Sequence, residues 1–443
     1  MDAPFANLPP ELLLAITAFT DRSTIFRLAA VCRYWHDVLT GTATLWTYID
    51  CRNESRTSIL LQRSKSSPID VAIDRYVPAA ISLIARHTHR MRSIDLNLPS
   101  RQFGDIRPLL NGLAPILKTM RMRRRGEVSP PGSYPPCNSF FQGKFPALRT
   151  LHLEGYPLFH TQSAPTMTGG LTTLVLDNRL YHDRRDLLEY LEHCKNLVHL
   201  RIDLPVLGGT VPASRVVSLP NLTELRSVRS ALTAFHNLSF PPSTDLIIGP
   251  RCRVHPEGYP LATVWERDGL SQILELRAIR SVRMTFDVSN CMVALSGPHL
   301  LFMEDVKADT SRHNSFYSDY LDSFQSLPIT TTEVFRFIQP PQRPFTGTLQ
   351  LQSCTRLLLQ MPKLTRIFLD ASVALFFVRA LEPVDGQVPC PKLQALVVIP
   401  REGREDYLRN GLITLSNQRK DRGCPLVCSV GPPDLPSRPS PRV

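Results

Sequence analysis

Leu12, Ile16 and Phe19 fall at i, i+4 and i+7, which sets them along one side of a helix, with Leu13 as a second apolar edge. Pro9-Pro10 ahead of them suits a first helical turn, where a missing N–H costs nothing, and Glu11 sits beside the positive helix end. Asp21-Arg22-Ser23 breaks the run and offers an oxygen to cap a second helix, on which Ile25, Leu28, Ala29 and Cys32 share a face. Trp35, Val38 and Leu39 carry helical spacing into a third segment that Gly41 ends, and Leu45-Trp46 closes the unit. A segment of about forty residues is too small to enclose so many large apolar groups. Either part of this surface meets a partner, or the helices cap the first turn of the domain that follows.

Beyond residue 85 the period changes. The unit L-x-x-L-x-L recurs at Met91/Ile94/Leu96, Leu117/Met120/Met122, Leu148/Leu151/Leu153, Leu171/Leu174/Leu176, Leu197/Leu200/Ile202, Leu222/Leu225, Leu364/Ile367/Leu369 and Leu393/Leu396/Val398. Several units open on a shared phrase: Phe145-Pro-Ala-Leu148, Cys194-Lys-Asn-Leu197, Leu219-Pro-Asn-Leu222, Met361-Pro-Lys-Leu364 and Cys390-Pro-Lys-Leu393. The spacing is that of leucine-rich repeats, roughly 20 to 29 residues with insertions. Helical patterns such as Ala79 to Arg86 and Asp186 to His193 lie between the strands. The expected fold is therefore α/β: a small three-helix N-terminal unit, then an irregular leucine-rich-repeat solenoid with a parallel inner sheet. Tyr156, Arg179 and Pro205 stand where the repeat usually has asparagine, so the units are degenerate.

The boundaries so read are 1–50 for the helical unit, 51–90 for a connecting helix and strand region with the first solenoid turns, 91–400 for the array, and 401–443 for a C-terminal segment. Between 240 and 345, Val282-x-Met284-x-Phe286 and Val334-Phe-x-Phe337 are assigned as divergent strands of the same array. Pro130 to Pro136 and Pro340 to Pro344 read as loops, and Gly431 to Val443 as a disordered proline-rich tail.

The ordered set Leu8-Pro9-x-Glu11-Leu12, Ile16, Asp21, Leu28-x-x-Val31-Cys32-x-x-Trp35, Leu39 and Leu45-Trp46 resembles the F-box, the helical motif that binds the Skp-family adaptor of cullin-RING ubiquitin ligases. Leu60 to Asp70 resembles the region after the F-box in fungal members. Phe19 departs from the leucine common there. The resemblance implies that Leu8, Pro9, Leu12, Ile16, Val31, Cys32, Trp35, Leu39 and Trp46 form or support the adaptor-binding surface. Trp35 and Trp46 fit two roles, interface anchors whose truncation costs above ~2 kcal/mol, or internal core.

Composition narrows the function. The chain has 443 residues, 43% of them hydrophobic, enough for a small domain plus an elongated array. Its formal charge is +12, yet the first fifty residues are net acidic, which argues against a nucleic-acid module at that end. No basic n-region precedes Leu12 and no apolar run approaches the ~18 residues of a membrane span, so the expectation is a soluble intracellular protein, cytoplasmic or nuclear, without membrane partners. Its 10 cysteines are dispersed, as in a reducing compartment, which makes the sequons at Asn53, Asn221 and Asn237 chance matches. Gly143-Lys144 is followed by Phe145 rather than Ser or Thr, and Gly169-Gly170 and Gly208-Gly209 lack dinucleotide spacing. Cys424 and Cys428 have no partner pair, and His87-x-His89 has no third ligand nearby. No catalytic residue, metal or cofactor is expected.

Lys118 to Arg125 is the one dense basic run, and it fits an import signal, a phosphate contact or a solvated edge, since Met120 and Met122 are repeat positions. The solvent-facing position between the last two repeat leucines reads Asp95, Arg121, His152, Val175, Arg201, Arg226, Phe368 and Val397. Such residues line the inner face of a solenoid, its usual binding side. Arg121, His152, Arg201, Arg226 and Phe368 are the candidate substrate contacts, basic at one end and apolar at the other, suited to an acidic or phosphorylated protein segment. The resemblance and the array imply the substrate-recognition subunit of an SCF-type ubiquitin ligase, joined to a cullin through the adaptor. The rivals are an F-box scaffold that directs no ubiquitin transfer and a nucleic-acid-associated protein using its basic array.

Overall fold

The computed structural model describes residues 8–99, 102, 104–125, 145–155, 168–177, 182–203, 207–208, 215–228, 237–249, 279–286, 290–307, 321–322, 324, 327, 329–338, 349–383, 387–400 and 405–431. The proline loops at 130–136 and 340–344, the tail past Gly431, Gly143-Lys144, Gly209, Tyr156, Arg179 and Pro205 lie outside them. Two compact units divide the chain near residues 204–222.

The first unit opens with α1 (Pro10–Ala18), α2 (Arg22–Leu28) and α3 (Arg33–Gly41). Pro10 begins α1, and the Asp21 carboxylate caps α2 by accepting from the Thr24 N–H at 3.0 Å and the Ser23 hydroxyl at 2.6 Å. Cys32 belongs to α3 rather than to the face of α2: its Sγ caps α3 by accepting from the Trp35 N–H. Leu13, Ala29, Trp35 and Leu39 form the small core. The stripe of Leu12, Ile16 and Phe19 is therefore the outer side of α1, and the edge carrying Leu13 and Thr17 is the inner one.

A 3-10 turn, Ala43–Trp46, brings Trp46 under these helices, where its indole N–H donates to the Leu39 carbonyl at 2.8 Å. Phe26 of α2 meets its ring edge-on, with centroids 5.0 Å apart. From α4 (Glu54–Arg63), Arg63 stacks 4.4 Å from the Trp46 ring centroid. Trp46 thus joins the helical unit to the first strand-helix repeat.

The strands β1 (Tyr48–Asp50), β2 (Ile69–Ile73), β3 (Met91–Leu98), β4 (Thr119–Arg124), β5 (Thr150–Glu154), β6 (Thr173–Asp177) and β7 (His199–Asp203) pair in chain order, all parallel. Ile94, Met120, Leu151, Leu174 and Leu200 stand in one register, and all are buried. The leading leucine closes the turn before its strand: Leu148 N–H donates to the Phe145 carbonyl and Leu197 N–H to that of Cys194, both at 3.1 Å. That turn explains the shared phrase, because its first and fourth residues are buried while Pro or Lys at the second faces water. Asn196 and Asn221 donate across to the previous turn, to the carbonyls of Gly169 and Lys195. Helices α4, α5 (Pro78–Ala85), α6 (Arg107–Leu110) and α7 (Arg184–Glu192) cover the leucines from behind.

In the second unit β8 (Glu224–Val228) and β9 (Asp245–Gly249) are parallel. Then come β10 (Ser281–Phe286), β11 (Asn290–Gly297) and β12 (Leu300–Lys307), an antiparallel meander in which β12, not β10, lies beside β9. Parallel pairing resumes from β10 through β13 (Val334–Ile338), β14 (Arg366–Asp370), β15 (Ala395–Ile399) and β16 (Val427–Val430). The two sequence-assigned stretches between 240 and 345 are strands. The meander between them was not anticipated, because Pro298-His299 joins β11 to β12 with no helix. Helices α8 (Leu351–Leu359), α9 (Ala371–Ala380) and α10 (Glu405–Asp421) continue the alternation past residue 400, with Phe377 of α9 packed on Phe335 and Phe337. No helix among the described residues is long and apolar enough to cross a membrane.

Two buried arginines serve as carbonyl caps. Arg90 donates to the carbonyls of Leu61, Lys65 and Ser67 and to the Ser64 hydroxyl, at the point where Lys65 (φ 49°) ends α4 in the left-handed region. Arg419 does the same for Leu381, Pro389 and Cys390 in the second unit. Arg90→Met keeps the volume and leaves these groups unpaired. It is expected to lower stability by about 2–3 kcal/mol, read as a shift in urea midpoint by tryptophan fluorescence with unchanged slope.

Candidate functional site

The N-terminal helices separate the sequence-predicted residues into two sets. Trp35, Leu39 and Trp46 are buried and hold the helices together. Leu8 and Cys32 are half-buried at the edge of that core. Leu12 and Ile16 are 53% and 45% exposed, Val31 between α2 and α3 is 62% exposed, and Pro9 is exposed. Phe19, absent from the predicted set, is 93% exposed and continues their stripe. Its i+7 spacing from Leu12 was the available signal. Tyr34 is also exposed and ties α3 to α1 through its hydroxyl, which donates to the Leu8 carbonyl at 2.9 Å. Apolar groups at this density on so small a unit form a surface of the kind that protein partners cover.

Residues 5–52 match the F-box-like family model. No curated protein matches the chain. The F-box-like domain thus includes the three helices, the 3-10 turn and β1, and it is followed by an α/β region whose sheet is mostly parallel, consistent with a leucine-rich-repeat solenoid.

On the sheet of the first unit, Asp95, Arg121, His152, Val175 and Arg201 stand side by side in one register, as the repeat spacing implies. Their charge is not what the row alone suggests. Two residues further along each strand runs a second outward row, Asn97, Arg123, Glu154, Asp177 and Asp203, and its carboxylates balance the first. Asp95 accepts from Arg123 at 2.9 Å with Arg121 at 3.9 Å, and Arg201 is paired to Asp203 at 2.6 Å. Burial pushes the Asp203 carboxyl up, with the Arg201 hydrogen bond working against it. His152 adds no charge near neutrality: burial, then Arg121, Arg201 and Arg123, push its pKa down to about 4. The expected basic half is therefore corrected to a charge-balanced face. The acidic row could have been read from the same alternation.

In the second unit Arg226 is paired to Glu224. Phe368 is buried beneath the Arg336 guanidinium, 5.1 Å from its ring centroid, because Arg336 stands opposite it on β13. The expected apolar end is corrected accordingly: its aromatic is capped by a cation. Of the basic run, Met120 and Met122 are core, Arg121 and Arg123 pair with Asp95, and Lys118 and Arg125 are exposed. Among the described residues no group of three or more His, Cys, Asp or Glu side chains is placed to hold a metal ion.

His152 gives a measurable consequence. The unfolded chain takes up a proton at this histidine below the ordinary imidazole value of 6.5, whereas the folded chain resists until about 4. Stability is expected to fall as pH drops from 6.5 toward 4, and His152→Gln should flatten that part of the curve. Imidazole NMR should place the folded-state midpoint near 4.

Proposed function

We propose that this chain is the substrate-recognition subunit of an SCF-type ubiquitin ligase, with residues 5–52 docking a Skp-family adaptor and, through it, a cullin. The observation that carries this reading is the F-box-like domain itself, supported by its exposed row of Leu12, Ile16 and Phe19. Pro9, Leu12, Ile16, Phe19 and Val31 make the adaptor contact, while Leu8, Cys32, Trp35, Leu39 and Trp46 fix its shape. The repeats that begin at β1 hold an intracellular protein substrate on their inner sheet. The chain supplies no catalytic group. It raises the effective concentration of the substrate beside the ligase's E2.

Co-purification of the full chain with a Skp-family adaptor tests this. Wild type is expected to bind stably, and Leu12→Asp/Ile16→Asp to weaken binding at least about thirtyfold, the loss of an anchor worth ~2 kcal/mol or more. Both side chains are exposed, so far-UV circular dichroism should not change. Arg121→Glu/Arg201→Glu should bind the adaptor as wild type does. No binding by the folded wild-type chain defeats the proposal. Binding without cullin-dependent turnover of any captured partner makes the protein a scaffold.

A further inference from the structure

The arginines on the sheet faces are committed to the fold: Arg92, Arg121, Arg123, Arg201 and Arg226 each face a carboxylate. A different group of arginines surrounds a cleft of about 520 Å³ at the C-terminal ends of β1 to β4. Arg52 follows β1, Arg75 follows β2 and Arg125 follows β4, so the parallel register gathers three guanidiniums from distant parts of the sequence at one edge. Among the described residues, neither Arg75 nor Arg125 has a side-chain hydrogen bond or ion pair. Both are exposed.

The carboxylates at the cleft do not cancel this charge. Asp50 accepts from Arg56 Nε at 2.8 Å, from outside the cleft, and Arg52 stays 3.5 Å away with its side chain 72% exposed. Asp50 is thus shared between Arg56 and Arg52, and Arg75 and Arg125 remain as the two guanidiniums of the cleft without an ion pair, beside one further carboxylate, Asp74. The remaining lining is polar or small, with Asn97 on one side and Ala72 on the other, which suits an anion and disfavours an apolar ligand.

We propose that this cleft binds a phosphomonoester dianion carried by a protein segment. Guanidinium forks supply paired N–H donors of the kind that match the terminal oxygens of a phosphate, and Arg75 and Arg125 line this cleft without an ion pair. A single carboxylate would neutralise less of the excess positive charge and offers two acceptor oxygens rather than three. The cleft is several times larger than a phosphate group, which leaves room for the side chain and the flanking peptide, and it opens beside the outward rows of the sheet. Asp50, Cys51 and Arg52 close the F-box-like match, but no residue of the cleft lies on α1 to α3 or belongs to the proposed adaptor contact, so the site does not rest on that reading.

The test uses the full chain, isothermal titration calorimetry and three probes: N-acetylphosphoserine N-methylamide, the same molecule without phosphate, and inorganic phosphate. The phosphorylated probe is expected to bind, its unphosphorylated form not to bind, and inorganic phosphate to bind several-fold more weakly. Arg75→Gln/Arg125→Gln should weaken the phosphorylated probe at least about tenfold, and Asp74→Asn should tighten it. Arg121→Gln/Arg201→Gln should leave it unchanged. Undiminished binding by a folded Arg75→Gln/Arg125→Gln variant, or no binding of the phosphorylated probe by wild type, overturns the proposal. Equal affinity for inorganic phosphate overturns its peptide source and leaves a free anion as the ligand. Adaptor co-purification is unaffected by these variants, so the two proposals fail separately.

Discussion

A lone strand-helix repeat can cover only one side of its leucines, and this shortfall governs each unit of the molecule. The strand turns two or three apolar side chains inward, its neighbours supply the lateral walls, and a helix closes the back. In the first unit the parallel register keeps every inward residue level with its counterparts. The same register levels the outward residues, so a charge on one strand stands beside those of its neighbours. Arg123 against Asp95 is a product of stacking. Arg201 and Asp203 lie two apart on one strand, where the pleat aims both to the same side.

The helical domain solves a related problem at the end of the array. Its core of Leu13, Ala29, Trp35 and Leu39 is small, and Trp46 enlarges it by bonding to Leu39 on one side and stacking with Arg63 of the first repeat on the other. A cation over an indole retains part of its attraction when desolvated, and burial lowers the Arg63 pKa. The arrangement leaves α1 with one buried edge and one free one. An exposed apolar stripe exists on α1 because Leu13 is the edge that the core selects.

Arginine has three separate duties in this chain. Arg90 and Arg419 are buried and donate to backbone carbonyls, Arg90 where α4 ends and Arg419 at Leu381 after α9 and at the Pro389-Cys390 turn. The arginines of the sheet face are paired with carboxylates, and Arg336 covers an aromatic. Arg75 and Arg125 of the edge cleft have neither kind of partner among the described residues. The formal charge of +12 is therefore a poor guide to any single surface, since most of the positive groups within the sheets are answered locally.

Periodicity alone determined much of the fold. Every L-x-x-L-x-L unit is a strand with its leucines buried, and the helices expected around Ala79 and Asp186 are α5 and α7, because alternation and the 3.6-residue period are local properties of the chain. The ordered pairs from Leu8 to Trp46 were equally legible as an F-box-like motif. Which edge of α1 faces inward was not legible, since Leu12 and Leu13 are equivalent until Trp35 and Leu39 arrive. Nor was the meander of β10 to β12, which breaks the repeat period. The neutrality of His152, the covering of Phe368 and the gathering of Arg52, Arg75 and Arg125 all depend on residues from different repeats standing level. Only the stacked structure sets that relation, because charge and burial are decided by neighbours in space.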